Sequence, residues 1–413
     1  MTVAMIARAW RTPLGDTIDA AMARLFAGER AATRDPRDGY ACTSVSSIPP
    51  HSHSGVLPRP AKPGSSIPPH SHSGVLPRPA KPGSSIRQEP RRSRDARFLR
   101  RLGLFGLEAA IEALSASGLT GGPRVGLFSG VGGLRAHWDD MIAAFANQRD
   151  DGERMWERGL KDVHPYWMLR HLSNNVHALA SAELDLRGEG ATFGGGNGGA
   201  QAFAAAARAL RDHAIDAAVV VAYDSLLEPE TLVELGARGA ATTAALDQLV
   251  APYAAEARGF VPGEAAAAVV LVRDAAAPIA RIAVAETAGD GALARCAAAL
   301  ADGAQLVDGA ARAWPLHDRE ERALLGALVA GAQLTAISAA IGQVGAATAL
   351  VQAIALAEML RAETAAPIAG LARADAGPLS PITCATPTTA RIALGLHTAA
   401  PGLASAVRVE VSR

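Results

Sequence analysis

Apolar residues along this chain follow two periods that alternate. "TPLGDTIDAAMARLFAGE" carries them at helical spacing, with Asp16 or Thr17 near its start and Gly28 near its end. "DARFLRRLGLFGLEAAIEALSASG" predicts a longer helix that stops at Gly118. "PRVGLFSGVGG" reads as a buried strand running into a glycine turn. "HPYWMLRHLSNNVHALASAEL" is predicted helical after Pro165. "ATFGGGNGGAQAF", residues 191–203, begins like a strand and then has five glycines in six positions. An alanine-rich helix follows from about Ala200 to His213, and "DAAVVVAY" and "GEAAAAVVLVRD" read as buried strands. The later part repeats the alternation. "ERALLGALVAG" is helix, "LTAISAAIG" strand and turn, "ATALVQAIALAEMLRAE" helix, and "TARIALGLH" and "SAVRVEVS" strands. Strands alternating with helices predict α/β layers with buried sheets, and two comparable halves predict a duplicated α/β unit.

One segment has neither period. "SSIPPHSHSGVLPRPAKPG" runs from Ser46 to Gly64 and recurs unchanged from Ser65 to Gly83. Pro, Ser, His and Gly dominate it, so it cannot bury a core, and residues 46–83 are predicted to be a flexible surface loop. Its polar character also means that the extra length adds little closure entropy. The pairs His51/His53 and His70/His72 invite a metal reading. A two-histidine site without further ligands binds weakly, and the second pair is a copy of the first.

Composition narrows the class. The chain has 413 residues, of which 49% are apolar, 4% aromatic and 19% charged. That is enough for a sizeable core built from closely approaching small residues. The formal net charge is zero, which argues against a nucleic-acid footprint or a basic membrane-binding face. Cys42, Cys296 and Cys384 form no CxxC pair and no metal-ligand spacing, as in the reduced thiols of a cytosolic protein. The opening residues do not make a signal peptide, and no apolar run reaches membrane-spanning length. The expectation is a cytoplasmic protein with no cofactor, no metal, no nucleic acid and no membrane as partner.

The order of landmarks resembles the β-ketoacyl-ACP synthases of the thiolase-like superfamily. "TPLGDTIDAAMARLFAGERAA" resembles the family's opening helix and "RVGLFSGVGG" its strand before the cap region. "LDLRGEGATFGGGNGGAQAFAAAARAL" resembles the segment that carries the nucleophilic cysteine. "YDSLL" and "ARGFVPGEAAAAVVLV" resemble the strands that follow. The resemblance implies a thiolase-like fold, a duplicated α/β unit in αβαβα layers, with halves at 1–240 and 241–413.

It also implies a chemistry. A cysteine at a helix N-terminus takes the acyl chain, and two histidines assist decarboxylation and stabilise the enolate. Counting from the flanking motifs puts that cysteine at Gly196 or Asn197. The first histidine falls at Asp308, with Asp318 and Glu321 matching acidic positions further along. The second falls at Gln343, and the family's lysine at Ser338. "SPITCATPTTA" is expected to replace the glycine-rich loop of the oxyanion hole. Three substitutes are weighed against blander roles: His317 as a helix-start residue, Cys42 in "ACTS" as a misplaced thiol, and Cys384 as a small buried thiol. Members of one catalytic unit do not compensate for one another, so these joint losses imply no condensation chemistry.

The resemblance is therefore closest to the inactive chain-length-factor subunits of type II polyketide and aryl polyene systems. These form a strand-mediated heterodimer with an active ketosynthase subunit and shape its acyl tunnel. That implies the ketosynthase as partner, and acyl carrier protein through it, in polyketide, aryl polyene or fatty-acid-like biosynthesis. Two alternatives stay open: a residual 3-oxoacyl-ACP synthase-like transferase using Asp308, His317 or Cys384, and a carrier-protein-binding scaffold. The five-glycine turn is expected to keep a tight turn and a close helix approach, rather than to leave volume for a growing chain. Tyr166, Trp167 and Met168 could line a tunnel, cap an interface or pack in the core.

Overall fold

The computed structural model describes residues 2–34, 41–43, 98–132, 163, 167–373 and 378–412. The tandem copies at 46–83, with their four histidines, lie outside the described residues, as does Tyr166.

Among the described residues four short strands pair as two two-stranded sheets, and the other eleven form one sheet. The first five are β1 (Val3–Arg11), β2 (Val125–Val131), β3 (Gly190–Gly194), β4 (Ala217–Ser225) and β5 (Glu264–Val272). Then come β6 (Ala280–Ala288), β7 (Leu306–Asp308), β8 (Gln333–Thr335), β9 (Ser380–Pro381), β10 (Ile392–Ala400) and β11 (Leu403–Glu410). Their order across the sheet is β9-β8-β7-β10-β11-β6-β1-β5-β4-β2-β3.

That order contains a repeat. Outward from the centre, β1-β5-β4-β2-β3 is mirrored by β6-β11-β10-β7-β8. The directions match as well. In each set the two outer pairings are parallel and the two inner ones antiparallel. β1 and β6 join the sets through an antiparallel pair. By strand order we propose that the halves divide between Val272 and Ala280, whereas motif spacing placed the division at 240/241.

The helices complete the layers. α5 (Gly198–Arg211) and α10 (Thr348–Arg361) pack between the half-sheets. Nearly every residue of α10 from Thr348 to Leu360 is buried, as a helix enclosed on all sides requires. α2 (Arg101–Ser117) and α4 (Asn175–Leu184) cover the outer face of the first half. α7 (Ala292–Leu300) covers that of the second, and α8 (Pro315–Leu328) packs on α7. The αβαβα arrangement is present.

Local chemistry explains the ends. α1 (Ile18–Phe26) starts where Thr17 Oγ1 accepts from Ala20 N at 3.3 Å. α2 ends at Gly118, whose φ of +70° closes the helix. The predicted helix after Pro165 is instead two, α3 (Trp167–His171) and α4. Asn175 Nδ2 donates to Phe98 O and Leu169 O, so a side chain takes carbonyls at the break. β1 and β6 went unpredicted because both lie at the central join, where alternating and continuous apolar patterns blur.

Candidate functional site

The glycine-rich turn lies between β3 and α5. Gly195 adopts φ +104°, a conformation that strains any side-chain-bearing residue. A Cβ at 196 would stand 2.8 Å from Ala399 Cβ. Asn197, in contrast, has room for its side chain and is 3% exposed. Of the two candidate nucleophile positions, then, only 197 presents a side chain. Asn197 Nδ2 donates to Ala404 O at 2.9 Å, and its Oδ1 is buried with no donor among the described residues. The amide is spent on tying the turn to β11.

The turn also shows why it holds so many glycines. A Cβ at 199 would meet Ala346 O at 2.1 Å, whereas one at 194 would meet nothing within 4 Å. Gly199→Ala is therefore expected to cost about 3 kcal/mol, with Gly194→Ala within about 0.5 kcal/mol of the parent. Equilibrium unfolding in urea reads both. Equal effects would contradict a turn set by helix approach.

Asp308 ends β7 and is 2% exposed. Its carboxylate accepts from Ile337 N at 2.7 Å and from Gln352 Nε2 at 2.9 Å. Burial pushes its pKa up to about 7, held back by those two donors. Gln343 follows Gly342 and donates through Nε2 to Ala310 O at 2.8 Å. Gln343 also bonds on both backbone sides, from its N–H to Val261 O and from Gly263 N to its carbonyl, each at 2.9 Å. Asp308, Ser338, Gln343 and Gln352 line one void of about 10 Å³, space for about one water. The structure thus brings together the positions expected for the two histidines and the lysine, and nearly fills the space between them.

Asp318 and Glu321, both on α8, do not face that void. Asp318 Oδ2 accepts from Tyr253 N at 2.8 Å. Glu321 accepts from Ala310 N at 2.6 Å, Ala311 N at 3.3 Å and Tyr253 Oη at 3.3 Å. Ala311, Ala313 and Tyr253 have φ of +47°, +54° and +66°. The two acids hold a strained loop that begins directly after Asp308. Burial raises Asp318 to about 6, and burial with the Asp318 charge raises Glu321 to about 8.

Two buried groups had no sequence signal. His397 on β10 is buried and held neutral, its pKa lowered to about 3 by burial and by Arg312. Arg312 Nη1 donates to Thr398 O at 3.2 Å. Cys296 on α7 donates Sγ–H at 3.5 Å to the same Ala404 O that Asn197 holds. Burial and Glu286 push that thiol up, which keeps it from the thiolate form a nucleophile needs.

These shifts set a pH dependence. Asp308, Asp318 and Glu321 bind protons more tightly folded than unfolded, where carboxyls titrate near 4. Their contribution is lost as pH rises from about 4 to 8. His397 acts oppositely and costs stability as pH falls below 6.5, its ordinary value. The melting temperature is expected to rise as pH falls from 8 towards 4.5, with His397 offsetting about one of the three acids below 6.5. Asp308→Asn removes part of that slope. A melting temperature that climbs from pH 6.5 to 8 would contradict the assignment.

The remaining candidates lie elsewhere. His317 is exposed on α8, 3.7 Å from Glu320. Cys384 is exposed, so it is not the small buried thiol expected. Its segment runs along the far edge of the sheet, where Ser380 N bonds to Ala332 O and Ile382 N to Leu334 O. The backbone beside the turn is instead the β10–β11 hairpin, through Ala399 and Ala404. "SPITCATPTTA" is therefore not what stands in place of the glycine-rich loop. Cys42 is buried.

Residues 87–277 match the β-ketoacyl synthase N-terminal domain. This part of the chain is thus similar to the N-terminal domain of β-ketoacyl synthases. Similar solved structures span the full length. A β-ketoacyl synthase from Burkholderia phymatum is 19% identical with a TM-score of 0.77, covering 100% of both chains. The ishigamide ketosynthase/chain length factor is 16% identical with a TM-score of 0.75, covering 100% of this chain and 99% of that one. A type II polyketide ketosynthase solved with its acyl-carrier protein is 15% identical with a TM-score of 0.71, covering 100% and 99%. No curated protein matches. The fold is the thiolase-like ketosynthase fold. Asn197, Asp308 and Gln343, the positions expected for the family's Cys, His and His, lie at the turn, at the end of β7 and in the loop before α10.

Proposed function

We propose that this chain is a non-catalytic ketosynthase-like subunit. It pairs with an active β-ketoacyl synthase and shapes that partner's acyl tunnel, as a chain-length factor does. One observation carries the reading. At the three positions that the family resemblance assigns to a nucleophile and two proton-handling imidazoles, the side chains are an amide, a carboxyl and an amide. Each is committed to a structural hydrogen bond, around a void that admits about one water. Asp308 would also set there a carboxyl whose two oxygens already accept from Ile337 N and Gln352 Nε2, in place of a free donor for an enolate oxygen.

An open edge supports the partnership. Among the described residues β3 ends the sheet, pairs only with β2 and is partly exposed along its length. An unpaired edge of this kind is a template for a second chain. Two of the similar structures are a ketosynthase/chain length factor and a ketosynthase with its carrier protein, which favours a ketosynthase partner and a carrier protein reached through it.

Intact-mass spectrometry tests the catalytic part. The purified chain, incubated with malonyl- and acyl-loaded carrier protein, is expected to gain no acyl mass. A stoichiometric adduct on any residue would sink the proposal and favour the residual transferase.

A further inference from the structure

Two polar groups beside the glycine turn are withdrawn from water with too few partners. The first is His397 on β10, 4% exposed. Its ring makes no hydrogen bond among the described residues. Side chains two apart along a strand share a face. A Cβ at Gly395 would meet Gln352 Cδ at 3.0 Å, so His397 faces the same way, toward α10.

The second is Arg312, in the strained loop after β7. It is half-buried and has no ion pair among the described residues. Its Nη1 donates to Thr398 O at 3.2 Å, one residue along from His397. Its Nε is buried with no acceptor among the described residues. The Phe260 ring lies 5.7 Å from the guanidinium carbon. Asp318 and Glu321 attract the cation from α8, but their bonds go to Tyr253 and to the loop backbone. The guanidinium in turn helps to hold the His397 ring neutral.

A cation drawn out of water without a counter-ion costs free energy, and so does a buried imidazole without a partner. One acceptor can offset both costs. A carboxylate has two oxygens, one for an N–H of the arginine and one for the single N–H of the neutral ring. The turn leaves space nearby, since a Cβ at 194 or 195 would meet nothing within 4 Å. The same turn is fixed to the hairpin through Gly196 against Ala399 and Asn197 Nδ2 on Ala404 O. We propose that His397 and Arg312 form a binding site for a small carboxylate, on the β10–β11 hairpin beside the glycine turn. The site is separate from any pairing at β3 and needs no second chain.

The full-length chain alone tests this. Thermal unfolding is followed at fixed pH and constant ionic strength while acetate replaces chloride. A saturating rise in melting temperature is expected. In His397→Phe and Arg312→Met the apparent affinity for acetate should fall about tenfold or more, one charge-assisted contact being of that order. Acetate should also shift the imidazole resonance that His397→Phe removes from the parent's spectrum. His397→Phe keeps a ring of similar size and leaves the Arg312–Thr398 bond in place, so it decides even if Arg312→Met folds poorly. No saturating rise over chloride, or an affinity unchanged in His397→Phe, overturns the proposal.

Discussion

Glu321→Ala is expected to lower stability by about 3 kcal/mol, one of the larger single-residue losses available in this chain. Three donors end on this carboxyl, from Ala310, Ala311 and Tyr253, and all are buried. Alanine leaves them without an acceptor inside the core. It also frees a loop whose Ala311 and Ala313 are held at positive φ, a conformation they leave readily once unpinned. Glu321→Gln keeps one acceptor oxygen and should fall between parent and alanine. Glu320→Ala, one residue away on the same helix but 66% exposed, should change stability by less than about 0.5 kcal/mol. Urea unfolding of the three variants decides. A Glu321→Ala loss no larger than that of Glu320→Ala would mean the acid does not hold the loop.

Proline in β3 should abolish pairing with the partner subunit, weakening the complex about 100-fold or more. Among the described residues β3 bonds to β2 on one side only. In a strand, successive N–H groups point to opposite sides, so of Ala191 and Thr192 one faces β2 and the other faces outward. Proline at the inward position breaks the internal ladder and lowers the melting temperature. At the outward position it removes a donor that only a second chain can use. The expected pattern is thus asymmetric: among Ala191→Pro and Thr192→Pro, one variant keeps the parent melting temperature and still loses the partner. If both bind the ketosynthase normally, the interface lies elsewhere.

Much of this was legible in the sequence, because periodicity reports burial. The helices at Thr17–Gly28 and up to Gly118, and the strands β2, β4 and β5, lie where apolar spacing and terminal residues put them. That Asp308, Ser338 and Gln343 come together was legible because short motifs with fixed neighbours mark strand ends and loops. What spacing could not show was contact across the fold. His397 and Cys296 converge near the turn from β10 and α7, about 200 and 100 residues beyond it. The oxyanion-loop position was misplaced for a related reason. Composition pointed to a polar, proline-rich stretch, whereas the hairpin at Ala399–Ala404 is recognised only by its touching Gly196 and Asn197. Charge count hid Arg312 as well, since a net charge of zero says nothing of where a cation is drawn out of water.

Co-expression with an intact ketosynthase and its carrier protein tests the central claim most directly. The account predicts a one-to-one complex that makes product of defined length, with the ketosynthase alone losing nearly all of that output. A chain that stays apart as a soluble homodimer, beside a ketosynthase fully active and unchanged in product length without it, would contradict the account.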